Sequence, residues 1–143
     1  MAISYYELAR LRPSGEPIPV AQNATLIFDE IVSYAGAQIS YNPSTGVINF
    51  NQAGFYYIDW YVAPQFGLTT DGSNWAIQTN LSQQSIIGSS HTHISATTGF
   101  AILNVEAGET AVLVNVSDGT LYLSQAVESK AGLVVYGITE PGT

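Results

Sequence analysis

An all-β sandwich or barrel is the fold class that this 143-residue sequence predicts, and three observations carry the prediction. Runs rich in β-branched and aromatic residues recur along the chain, with turn formers between them at near-regular intervals. They make about nine or ten short strands and leave no convincing helix. The third observation is the stretch Tyr41–Val62, YNPSTGVINFNQAGFYYIDWYV, which reads as a strand, a compact break and a long aromatic strand.

Taken in order, Ile3–Leu11 mixes the helix formers Glu7, Leu8, Ala9 and Arg10 with Ser4-Tyr5-Tyr6 and is read as the first strand. Pro13, Gly15, Pro17 and Pro19 exclude helix and predict an extended edge or crossing segment. Thr25–Val32 resumes strand character. In Asn42-Pro43-Ser44-Thr45-Gly46, proline fixes φ, glycine supplies positive φ and the short polar side chains bond nearby backbone, so the chain reverses there. Val47, Ile48 and Phe50 form a short strand, Ala53-Gly54 breaks it, and Phe55–Val62 follows. Alternation puts Tyr56, Ile58, Trp60 and Val62 on one face and Phe55, Tyr57, Asp59 and Tyr61 on the other. Both faces are mostly apolar, so the second needs a cover from this chain or from another subunit.

Pro64–Asn74 reads as loop, Trp75–Leu81 as strand, Asn80–Gln84 as turn and Ser85–Ile87 as a short strand. The polar Gly88–Thr98 leads into the strand Gly99–Val105. Glu106-Ala107-Gly108-Glu109 and Ser117-Asp118-Gly119-Thr120 are hairpin connections on either side of Ala111–Val116. Leu121–Val127 and Leu133–Ile138 are the last strands, and 139–143 is a frayed tail.

The net charge is −8, with Arg10, Arg12 and Lys130 the only Lys or Arg, so no basic patch can form and nucleic acid is excluded as a partner. The absence of cysteine removes disulfides, thiolate metal sites and cysteine nucleophiles. Only 10 % of residues are charged, against roughly a quarter in typical domains, so the polar surface is mostly Ser, Thr, Asn and Gln. No run approaches a membrane span and the N-terminal residues lack the apolar core of a signal peptide, which argues against membrane insertion. One domain over 1–143 is the economical reading.

Several motifs, in order and spacing, resemble the globular head of complement component C1q and the C1q/TNF jelly-roll superfamily. They are Ile27-Phe28-Asp29, Tyr41-Asn42-Pro43-Ser44-Thr45-Gly46-Val47-Ile48, Gly54-Phe55-Tyr56-Tyr57-Ile58, the run from Thr98-Gly99-Phe100-Ala101 to Gly108-Glu109, and Ala131-Gly132-Leu133-Val134-Val135-Tyr136. The match covers roughly 25–138, with 1–24 matching only loosely. The resemblance implies a ten-stranded jelly roll that forms a homotrimer without catalysis, often at the end of a collagen-like or fibrous stalk, and that binds protein or other ligands through loops. It also implies that Phe55–Val62, the last strand and Ala111–Val116 share the inner sheet. Phe55, Tyr57, Tyr61, Leu113 and Tyr136 are therefore interface candidates, with the face that meets the axis left open.

Some family members bind calcium near the trimer axis through aspartates in the segment matching Ile86–Gly99, but here that segment holds no carboxylate and Ser95 stands in the expected place. His91 and His93 stand there instead, on one side of an extended segment. Three chains would bring six imidazoles together, enough for a divalent metal at the three-fold axis, although no cofactor is required. Two solvated loop histidines are the plainer reading. A cupin-like metalloenzyme would need further ligands, yet the next acid is Glu106 and no other histidine exists. Asp29 and Glu30 point to opposite faces of a strand, so they cannot flank one substrate. Trp75, at a strand start after a polar turn, is the one candidate ligand-facing aromatic for a glycan-binding module, while Trp60 alternates with core positions. The expectation is a non-enzymatic trimeric recognition head of bacterial or phage type, on an extracellular, particle or spore surface.

Overall fold

The computed structural model describes residues 3–92 and 94–138, and every regular element in that range is a strand. In chain order these are β1 (Tyr5–Arg10), β2 (Ile18–Val20), β3 (Glu30–Ala35), β4 (Ile39–Asn42), β5 (Val47–Phe50), β6 (Gly54–Val62) and β7 (Pro64–Gly67). There follow β8 (Ser73–Thr79), β9 (Ser85–Ser90), β10 (Thr97–Val105), β11 (Glu109–Asn115), β12 (Leu121–Leu123) and β13 (Ala131–Gly137). Ten of them build two five-stranded sheets, ordered β10-β6-β13-β1-β3 and β4-β5-β11-β8-β9; the other three form a small sheet, β2-β12-β7. All pairings are antiparallel. Among the described residues no helix is long and apolar enough to cross a membrane.

The core lies between the two large sheets. Tyr56, Ile58, Trp60 and Val62 of β6, Leu133 and Val135 of β13 and Leu8 of β1 face Ile48, Phe50, Trp75, Ile77 and Leu113 of the second sheet, all of them buried. At roughly 1.5–3 kcal/mol for each large apolar side chain removed from water, this layer is the main favourable term in folding. On one side the sheets close on each other. Gly88 of β9 and Gly99 of β10 lie so near that a Cβ on Gly88 would come 2.9 Å from the Gly99 Cα, an approach only glycine allows.

The turn at Asn42–Gly46 forms as its residues dictate. Gly46 takes φ +78° and donates its N–H to the Asn42 carbonyl at 2.9 Å, while the Asn42 side-chain oxygen accepts from Ser44 N–H at 2.8 Å.

Both connections expected as hairpins, 106–109 and 117–120, instead cross between sheets, since β10, β11 and β12 each lie in a different one. Three segments also differ from the expected ones. Residues 25–29 are not strand apart from a single bridge, Thr25 to Val114. Leu26 and Phe28 still reach the core, and the Tyr41 hydroxyl bonds both Phe28 N–H and Phe28 C=O at 2.8 Å, replacing a ladder partner with a side chain. Pro64–Gly67, expected as loop, is β7. There the chain of β6 bends at Ala63, whose N–H and C=O bond Lys130 and Ser124, and runs on into the small sheet. The strand expected at Leu121–Val127 stops at Leu123.

Register gives the molecule two distinct ends. Tyr5 lies opposite Tyr136 and Arg10 opposite Ala131, so the start of β1 and the end of β13 are together at one end. Thr97 lies opposite Val62, which puts the β9–β10 loop at the other end with β7 and the small sheet.

Candidate interaction surface

The outer face of the first sheet is built by the second half of the β6 alternation. With Tyr56, Ile58, Trp60 and Val62 committed to the core, Phe55, Tyr57, Asp59 and Tyr61 must point out. Phe55 and Tyr61 are 45 % and 37 % exposed. On the neighbouring edge strand the same alternation sends Ala101, Leu103 and Val105 inward and leaves Phe100 and Ile102 outside, 71 % and 62 % exposed. On the other side Tyr136 of β13 lies opposite Tyr57, with ring centroids 5.2 Å apart and planes tilted by 37°. Burial raises the pKa of the Tyr57 phenol, and the Asp59 carboxylate beside it adds to the effect.

Four of the interface candidates read from sequence, Phe55, Tyr57, Tyr61 and Tyr136, thus share one face. The fifth does not. Leu113 lies on β11, which pairs with β5 and β8 in the second sheet, and its side chain is 1 % exposed beside its ladder partner Ile77. Ala111–Val116 therefore belongs opposite the sheet assigned to it, and Leu113 is a core residue. Phe100 and Ile102 were missed, although GFAILNV carries the same two-faced apolar alternation that singled out Phe55–Val62.

Part of this face is hollow. A cavity of about 280 Å³, lined by Ala9, Val134 and Gly132 among others, opens between β6, β13, β1 and β3. The Tyr61 ring leans over Gly132, where a Cβ would fall 2.5 Å from Cε1, and the Tyr61 hydroxyl shares a hydrogen bond with Ser129. Glu7 and Asp59 stand on either side of Val134, each opposite it in its ladder.

Trp75 is not a ligand-facing residue. It is fully buried on β8, flanked in its sheet by β11 and β9, and its Nε1–H donates to Ser73 Oγ at 2.9 Å. The exposed aromatic at the loop end is Phe66 of β7, which stacks on Tyr122 of β12 at 4.3 Å and 18°. His91 is exposed in the β9–β10 loop, where Thr92 and Ser95 bond each other through their hydroxyls; His93 lies outside the described residues, as does the tail 139–143. Among the described residues no three of His, Cys, Asp and Glu stand together as a metal-ligand group.

Two other acids serve the scaffold. The buried Glu109 carboxylate accepts from Glu106 N–H at 2.9 Å, Ser82 N–H at 2.8 Å and the Ser82 hydroxyl, closing two loops at once. Burial acts to raise its pKa, but these bonds outweigh it and the pKa is lowered. The exposed Asp118 bonds the Thr70 hydroxyl and N–H, which lowers its pKa and ties the β11–β12 turn to the β7–β8 loop.

No protein-family model matches the chain, and no curated protein matches it in sequence. Solved structures match its fold over almost the whole length. The globular domain of zebrafish complement 1qA protein superimposes with a TM-score of 0.69 at 12 % identity, covering 96 % of this chain and 98 % of that one. The PRD1 vertex protein P5 does so at 0.65 and 15 % identity, over 97 % of this chain and 100 % of its own. Eiger TNF from S. frugiperda gives 0.60 and 12 %, over 100 % and 98 %. The chain has the C1q/TNF-like jelly-roll fold, as its motifs implied.

Proposed function

We propose that this chain is a non-enzymatic homotrimerisation and recognition head, the surface-exposed end of a collagen-like or fibrous protein of bacterial or phage type, working on an extracellular or particle surface. The observation that carries this reading is the outer face of the first sheet. Five exposed apolar side chains on it, Phe55, Tyr61, Phe100, Ile102 and Tyr136, leave open on the order of 500 Å². That is a large share of the roughly 800 Å² per partner in a stable interface. Three copies packed on this face would hold their chains in register and present the loop end three times, so that weak contacts to a protein or other ligand add.

The test is the molar mass in solution by light scattering on a size-exclusion column. A value near three times 15.3 kDa is expected, and a monomer would overturn the reading. Tyr57→Asp, which sets a carboxylate in the contact, should dissociate the trimer; a soluble Tyr57→Asp trimer of unchanged stability would remove that residue from the interface.

A glycan-binding module is the second reading. With Trp75 in the core it rests on the Phe66–Tyr122 stack at the loop end, and titration with neutral oligosaccharides against Phe66→Ala would decide it.

A further inference from the structure

We infer that the trimer is locked by one aromatic knob: Phe100 of each copy seats in the hollow beside the Tyr61 ring, against Ala9 and Val134 of the next. The inference rests on the trimeric reading and names the contact within it. Phe100 is the most exposed aromatic side chain among the described residues, and it stands on an edge strand, free to project beyond its own sheet. The hollow, about 280 Å³ and lined by Ala9, Gly132 and Val134, has room for a benzyl group.

The knob is level with one side of the hollow, that of Asp59, Val134 and Glu7. Phe100 lies opposite Asp59, Asp59 opposite Val134 and Val134 opposite Glu7, one straight row across four strands. Rotation about an axis running along the strands leaves height unchanged, so it carries Phe100 of one copy to the level of the Val134 side of the next copy's hollow. Knob and hollow are different parts of one face, which makes the contact head-to-tail and suits a closed ring better than a two-fold dimer. The chemistry also agrees. The edge of a phenyl ring carries partial positive charge, and the rim of the hollow presents the carboxylates of Glu7 and Asp59.

Charge reversal tests the contact. Phe100→Glu should fold, because the side chain is exposed, but should weaken the trimer on the order of 100-fold by setting a third carboxylate between two others. Adding Glu7→Lys should recover at least about tenfold of that loss, since like charges become opposite ones. Within one chain positions 7 and 100 are three strand spacings apart, roughly 14 Å, so rescue must act between copies. Sedimentation equilibrium of the wild type, Phe100→Glu, Glu7→Lys and the double variant reads the outcome. If Phe100→Glu stays as tight a trimer as the wild type, or if the double variant dissociates as readily as Phe100→Glu, the knob placement is wrong and the trimer stands. A monomeric wild type removes the trimer itself.

Discussion

At the scale of single residues, Glu109 shows how one carboxylate can hold two loops. Three donors converge on it in a buried site, so its ionised form is favoured and its pKa is lowered. A lowered folded pKa adds stability above the unfolded value near pH 4.5, and that stability is lost as pH falls through the folded value. Glu109→Gln would turn an amide N–H₂ toward these donors; it should cost about 2 kcal/mol at pH 7 in urea unfolding and flatten the decline below pH 4.5. An equal pH dependence in both proteins would show that Glu109 is not the group responsible. Single residues were also where the sequence was hardest to read. Phe55, Tyr57 and Tyr61 could be placed on one face because alternation needs no knowledge of neighbours. Trp75 and Leu113 could not, because their exposure depends on which strands flank them, and only the ladders of β8 and β11 reveal that.

At the scale of elements, the segment 25–29 shows a side chain doing the work of a strand. Phe28 has the composition of a strand residue, yet its N–H and C=O are both satisfied by the Tyr41 hydroxyl, and burial pushes that phenol up to about 12. Tyr41→Phe keeps the ring and strips both bonds, leaving two buried backbone groups unpaired. It should lose about 3 kcal/mol, read as a lower urea midpoint at unchanged slope; a change under about 0.5 kcal/mol would mean that the segment finds other partners. No pattern in TLIFDEIV distinguishes this arrangement from a ladder, because the substitute partner is 13 residues away. The elements bounded by local chemistry were legible for the opposite reason. The Asn42–Gly46 turn and the long β6 strand are specified by residues adjacent in the chain, whereas the connections after β10 and β11 join strands of different sheets, and β7 and β12 owe their limits to pairing in a sheet of distant segments.

For the whole molecule, charge opposes the assembly proposed here. Each copy carries −8, and three copies within a Debye length of roughly 8–10 Å repel. The trimer should therefore tighten as salt rises from about 0.02 to 0.15 M, measured by dilution with light scattering, because screening relieves the repulsion and leaves the apolar contact untouched. Weakening over that range would point instead to attractive ion pairs at the interface. The two-ended layout has a mechanical meaning as well. The chain enters β1 at one end of the sandwich, while the β9–β10 loop lies at the other, and β1 is clasped between β13 and β3. A tether drawing on Tyr5 against a ligand held at the loops pulls β1 along its own axis, across bonds that lie perpendicular to it. Such a load falls on the whole row of bonds at once, in shear, instead of opening them singly like a zip, and so β1 is well placed to bear tension applied at Tyr5.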